Sequence, residues 1–118
     1  MNILIVDDEE LMIRALCRHL KFESYKVFTA NDTSRAKQML SEESIDVLLT
    51  DMDLGEGSQH GRSLLEWTST HSPTTKRILM SGLVYHAQQA PEAHHVLQKP
   101  FPITALKTFI NSTSDIAA

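Results

Sequence analysis

Apolar and polar positions along this chain switch between two periods, and the switches mark out its elements. Asn2 to Val6 is an apolar run that reads as a strand. From Glu9 the period lengthens: Met12, Ala15, Leu16, His19 and Leu20 recur three or four residues apart, which predicts a helix with one stripe turned to a core. Tyr25 to Thr29, rich in aromatic and β-branched residues, makes a second strand, closed by the turn-forming Asn31-Asp32. Asp32 or Thr33 can cap the next helix, which runs to about Glu42 with Ala36, Met39 and Leu40 inward.

Ile45 to Asp51 is the third strand. Val47, Leu48 and Leu49 are continuously apolar, and Ile45, Val47 and Thr50 are β-branched, so a strand buried on both faces is expected. Gly55, Gly57 and Gly61, set among small polar residues, make Met52 to Gly61 a loop. Leu64, Leu65 and Trp67 lie on a helix that stops near Ser72-Pro73, since proline cannot continue it. Arg77 to Ser81 and His94 to Gln98 read as strands four and five. The weakly patterned Leu83 to Pro91 reads as a short helix or irregular turn. Ile103, Leu106, Lys107 and Ile110 predict an amphipathic closing helix, and Asn111 to Ala118 a frayed end. Strands alternating with helices, over connections too long for hairpins, imply parallel βαβ units and a doubly wound α/β sheet.

Composition narrows this picture. With 118 residues and 42% hydrophobic content there is material for one core and hardly two, so residues 1–118 are expected to form a single domain, with no output domain after the closing helix. No run of about 18 apolar residues exists to span a bilayer, and Met1 to Val6 leads straight into acids, so neither anchor nor signal peptide is read. A net charge of −4 and the short Lys76-Arg77 run argue against direct nucleic-acid binding. The single cysteine, Cys17, rules out an internal disulfide, suits a reducing cytoplasm, and lies in a helical pattern where a packing role is expected.

The chemistry gathers at strand ends. Asp7 and Asp8 follow strand one, Asp51 ends strand three, Ser81 ends strand four and Lys99 follows strand five. In open parallel sheets, groups beyond the carboxyl ends of strands share a crevice. Crowded carboxylates repel unless a proton, a cation or a lysine neutralises them, and an all-oxygen set suits Mg²⁺. A carboxylate beside Mg²⁺ can attack phosphorus to give an acyl phosphate. Asp7 and Asp8 would then hold the metal, Asp51 accept the phosphoryl group, and Ser81 and Lys99 bind its oxygens. Each residue alone has a plainer reading: the acids at the helix start also complement its dipole. Five together at successive strand ends favour function. His94 and His95, adjacent on a strand, point to opposite faces, which argues against a shared metal site with His86. His60 lies in the loop after Asp51, where it is a candidate to touch a phosphoryl group or water, although a solvated loop residue is the plainer reading, and Trp67 is read as a half-buried helix residue.

The motifs Ile3 to Glu10 (ILIVDDEE), the strand ending at Asp51, Leu79-Met80-Ser81-Gly82 and Lys99-Pro100-Phe101 resemble the receiver domain of two-component response regulators over essentially the whole chain. The resemblance implies a flavodoxin-like sheet of order 2-1-3-4-5 with helices on both faces, the fourth short or irregular. It also implies a signalling switch phosphorylated on Asp51 by a histidine kinase or histidine phosphotransfer protein, dependent on Mg²⁺, passing its state to a downstream protein within a phosphorelay. The domain would catalyse only its own phosphorylation and dephosphorylation. The backbone carbonyl of Asp53 would complete the metal ligands, and Lys99-Pro100 would be cis.

The chain departs from the family pattern in three places. The loop after Asp51 lacks the usual proline and is longer. The stretch between Ser81 and Lys99 is shorter. Val96 stands where an aromatic residue usually reports phosphorylation, and Tyr85 is a candidate to supply an aromatic in its place. Rival readings are a haloacid dehalogenase-like phosphatase, from Asp51-Met52-Asp53 with Ser81 and Lys99; a flavodoxin-like cofactor module, disfavoured because acids after strand one repel a flavin phosphate; and a pseudo-receiver that binds partners without phosphorylation.

Overall fold

In the computed structural model, β1 (Asn2–Val6), α1 (Glu10–Leu20), β2 (Lys26–Ala30), α2 (Thr33–Glu42), β3 (Val47–Asp51), α3 (His60–His71), β4 (Lys76–Ser81), β5 (His95–Gln98) and α4 (Ile103–Asn111) follow one another along the chain. The structure describes residues 1–21, 24–54, 60–82 and 91–112. All strand pairs are parallel and the order is β2-β1-β3-β4-β5, as expected.

Strand alternation divides the core into two layers. Leu4, Val6, Leu48 and Leu79 face α2 and α3, where Ala36, Leu40, Leu64 and Leu65 meet them. Ile3, Ile5, Val47, Leu49, Ile78 and Met80 face α1 and α4, against Leu16, Leu20, Leu106 and Ile110. The central strands are covered on both sides, which is why they read as unbroken apolar runs. Register aligns the carboxyl ends: Val6 lies opposite Ala30 and Thr50, Asp51 opposite Met80, and Ser81 opposite Gln98.

Some sequence expectations need correction. Of the α1 stripe Met12, Ala15, Leu16, His19 and Leu20, Leu16 and Leu20 are buried and Met12 packs beside them with Ile13 and Cys17, whereas Ala15 and His19 are exposed. Ala15 and His19 line a shallow groove with Pro100 and Phe101 instead. Cys17 packs, as expected. Tyr25 lies outside β2, its hydroxyl donating to the Asn111 side chain at 3.0 Å, and His94 precedes β5. Asn111 therefore belongs to α4 rather than to a frayed end. The reading of Leu83 to Pro91, with Tyr85 and His86, falls outside the described residues except at Pro91, as do residues 55–59 of the loop after Asp51 and 113–118 of the C-terminal stretch. Among the described residues no helix is long and apolar enough to cross a membrane.

Lys76, read from sequence as half of a short basic run, is 6% exposed; its ammonium donates to the carbonyls of Phe109 at 2.9 Å and Ile110 at 3.2 Å, and to that of Ser112. It closes the carboxyl end of α4, where carbonyls lack helical partners and the dipole favours a cation. Lys76→Met keeps the buried stem but strands those carbonyls, so stability is expected to fall by about 2 kcal/mol. A urea midpoint equal to wild type would show that water caps the helix equally well.

Candidate functional site at the carboxyl rim of the sheet

The rim is built from chain crossings. Asp7 follows β1 and is fully buried; one of its oxygens accepts the Glu9 N–H at 2.9 Å, which shapes the entry to α1. Its other oxygen lies 3.3 Å from the Lys99 ammonium. Lys99 Nζ also reaches Asp51 Oδ1 at 3.0 Å, so one cation bridges two carboxylates. Lys99 is held from behind, its N–H donating to the Ser81 carbonyl at 2.7 Å. The Lys99-Pro100 peptide is cis, as the resemblance implied. Ser81 is buried at the end of β4, beside β3. Asp8 is exposed, and an oxygen from each of Asp7, Asp8 and Asp51 can gather with all three within 4.8 Å of one another. Asp53 has an exposed side chain in the loop after β3.

Burial sets the electrostatics. It pushes the Asp7 and Asp51 carboxyls above the usual carboxylate range, against the pull of the Glu9 N–H on Asp7 and of Lys99 on both. Burial also works against the Lys99 ammonium, but the hydrogen bonds and charges of Asp51 and Asp7 outweigh it and hold its pKa above the ordinary lysine value. Three carboxylates facing one ammonium leave negative charge over, in a pocket of oxygen donors alone. That donor set fits a hard divalent cation such as Mg²⁺.

Of the residues given plainer readings, His94, His95 and Trp67 keep them, while His60, read as part of the loop, is the first residue of α3. His94 Nδ1 accepts the Arg77 N–H at 2.9 Å, while the His95 ring stacks on Phe109 at 3.9 Å, so the two serve different neighbours. Trp67 stacks on His71, and the Lys37 ammonium lies over its ring 5.8 Å from the centroid. The His60 side chain lies outside the described residues. Val96 is half-buried against the α2–α3 layer.

Sequence reasoning missed Gly61 and Thr50. Gly61, read as loop, sits in the first turn of α3, where a Cβ would lie 2.0 Å from the Asp51 carbonyl oxygen. The fully buried Thr50 hydroxyl donates to that same oxygen at 3.0 Å. A glycine opening a helix after an acceptor-like strand was the available signal for the first; nothing local distinguishes the second.

A doubly wound sheet whose rim gathers an acidic pair, a strand-ending carboxylate and a lysine defines the class of α/β phosphoacceptor signalling domains. Residues 3–111 match the family described as response regulator receiver domain, and the chain belongs to that family. It is 29% identical over 105 residues to an NtrX-like response regulator of Rickettsia felis, covering 86% of this chain and 22% of that protein. It is 27% identical over 81 residues to the regulatory protein VirG of Rhizobium rhizogenes, covering 69% of this chain and 32% of that one. The chain thus spans about a quarter of these relatives' length.

Among solved structures, the receiver domain of an HD domain-containing protein from Pseudomonas fluorescens Pf-5 superposes with TM-score 0.82 at 26% identity, covering 92% of this chain and 90% of that one. A Burkholderia pseudomallei response regulator, solved with a phosphorylated aspartic acid, a calcium ion and citrate, shares the fold with TM-score 0.85 at 24% identity, over 97% of this chain and 68% of that one. The domain is thus a receiver of the two-component type, a signalling domain, which sets aside the phosphatase and flavin-module rivals.

Proposed function

We propose that this receiver is a Mg²⁺-dependent switch with Asp51 as its phosphoacceptor. The carrying observation is the bridge from Lys99 to Asp51 at 3.0 Å and to Asp7 at 3.3 Å, beside an acid cluster able to hold a cation. An oxygen of the Asp51 carboxylate forms a bond to the donor's phosphorus as the bond to the donor nitrogen or oxygen breaks, leaving an acyl phosphate. The Lys99 ammonium moves from pairing carboxylates to pairing a phosphoryl oxygen, and the Ser81 hydroxyl donates to another. Asp7 and Asp8, with Asp51 and the Asp53 backbone carbonyl, are the proposed ligands of the Mg²⁺, which when bound neutralises charge on the transferred oxygens. The donor is a histidine kinase or histidine phosphotransfer protein, and the output is contact with a downstream protein in the cytoplasm. With Val96 already packed on the α2–α3 layer, the readout does not run through an aromatic ring at that position.

The test is incubation with acetyl phosphate and Mg²⁺ followed by intact mass. One added phosphate is expected, lost on treatment with hydroxylamine and not acquired in the presence of chelator. No added mass, or a label that survives hydroxylamine, would overturn the proposal.

A further inference from the structure

The peptide unit joining Asp51 to Met52 is gripped at both ends. Its carbonyl oxygen accepts the Thr50 hydroxyl at 3.0 Å, and its N–H donates to the Met80 carbonyl on β4 at 3.0 Å. One residue on, the Met52 carbonyl accepts the Gly61 N–H at 2.9 Å, which brings the first turn of α3 down onto the strand end. The bare Cα of Gly61 is what admits the Asp51 carbonyl at this close approach, since a Cβ there would lie 2.0 Å from its oxygen.

Thr50 is the unexpected member of this arrangement. It lies between β1 and β4, opposite Val6 and Leu79, and is wholly buried. The three β3 residues before it, Val47, Leu48 and Leu49, are apolar, and a valine would fill the site without burying a hydroxyl. The hydroxyl's contact with the Asp51 carbonyl makes it a brace on the residue that carries the reactive carboxylate.

We propose that Thr50 is a positioning residue for phosphoryl transfer: its hydroxyl, with the Met80 carbonyl on the same peptide and the Gly61 N–H on the Met52 carbonyl, holds the strand end so that the Asp51 carboxylate stays aimed at Lys99 and the Asp7–Asp8 pair. This rests on the reading of Asp51 as acceptor. Displacement of a reacting group by about 1 Å can cost on the order of a hundredfold in rate, and loss of a brace that merely narrows its motion costs less, about tenfold.

The experiment follows labelling by acetyl phosphate at saturating Mg²⁺, by intact mass over time, in wild type, Thr50→Val, Thr50→Ala and Thr50→Ser, with melting temperatures alongside. Thr50→Val and Thr50→Ala are expected to lose about tenfold in limiting rate. Thr50→Ser, which keeps the hydroxyl but loses the methyl, is expected to label at the wild-type rate while melting lower. The alanine variant carries the comparison if the valine variant does not fold. Equal rates in wild type and the hydroxyl-free variants, or a serine variant as slow as they are, would overturn the proposal and leave Thr50 a packing residue. A wild-type protein that takes no label overturns the reading of Asp51 itself, a result distinct from either.

Discussion

Asp51→Asn is expected to fold, to gain no phosphate mass from acetyl phosphate and Mg²⁺, and, with chelator at neutral pH, to melt no lower than wild type. Loss of label follows because an amide oxygen is a poor nucleophile toward phosphorus and cannot form the acyl phosphate. The stability expectation follows from burial. Asp51 titrates above the usual carboxylate range chiefly because burial disfavours its charge, even with Lys99 alongside. A carboxyl raised in this way supports the fold fully below its unfolded pKa, and that support is lost as pH rises through the folded value. At neutral pH the wild-type group is therefore ionised at a cost that asparagine avoids, and the two proteins should converge in acid.

Mg²⁺ is expected to reverse the ranking. A ligand at a hundredfold excess over its dissociation constant stabilises the native state by about 2.7 kcal/mol, and the wild type, with its full set of carboxylates, gains more of this than the variant. Added phosphate mass on both proteins would remove Asp51 from its proposed role.

Lys99→Met should slow labelling by on the order of 10²–10³-fold, the usual consequence of removing one preorganised partner of transition-state charge. Methionine matches the reach and flexibility of the lysine stem, so packing is largely kept. What is lost is the cation between Asp51 at 3.0 Å and Asp7 at 3.3 Å, and Asp7 has no access to water to compensate. Stranding buried carboxylates typically costs about 3 kcal/mol, so the metal-free variant should unfold at lower urea, and Mg²⁺ should restore part of the difference. In the wild type the Lys99 contribution has the same pH sense as that of Asp51, displaced to alkaline pH. Its raised pKa means the stabilisation is complete below the ordinary lysine value and fades only as pH climbs through the folded one. Urea midpoints with and without Mg²⁺, together with single-turnover mass kinetics, check both halves; wild-type labelling in the variant would reduce Lys99 to a structural counter-charge.

Sequence patterning located every described strand, because apolar runs of β-branched residues bounded by turn formers carry the signal within a few residues. Asp32 is one local success: its side chain accepts the Arg35 N–H at 2.8 Å as the predicted cap of α2. The failures have one cause. On α1 the stripe read from sequence was too wide: packing on the sheet buries Leu16 and Leu20 and leaves Ala15 and His19 of the same stripe exposed. Tyr25 has the composition of a strand residue, yet it is drawn to Asn111, 86 positions away. Lys76 resembled a surface charge until α4 brought its last carbonyls, 33 and more residues downstream, over the ammonium.

By itself the sequence determined the alternation of strand and helix, the burial of β1 and β3, and the fact that Asp7, Asp51, Ser81 and Lys99 fall at strand ends, since residue spacing and side-chain type are local properties of the chain. Only the tertiary structure decided the meetings: Lys99 with Asp7 across 92 positions, and the bare Cα of Gly61 against the carbonyl of Asp51. Strand order and register set those distances, and they are settled by how whole layers pack rather than by any period a short segment can carry.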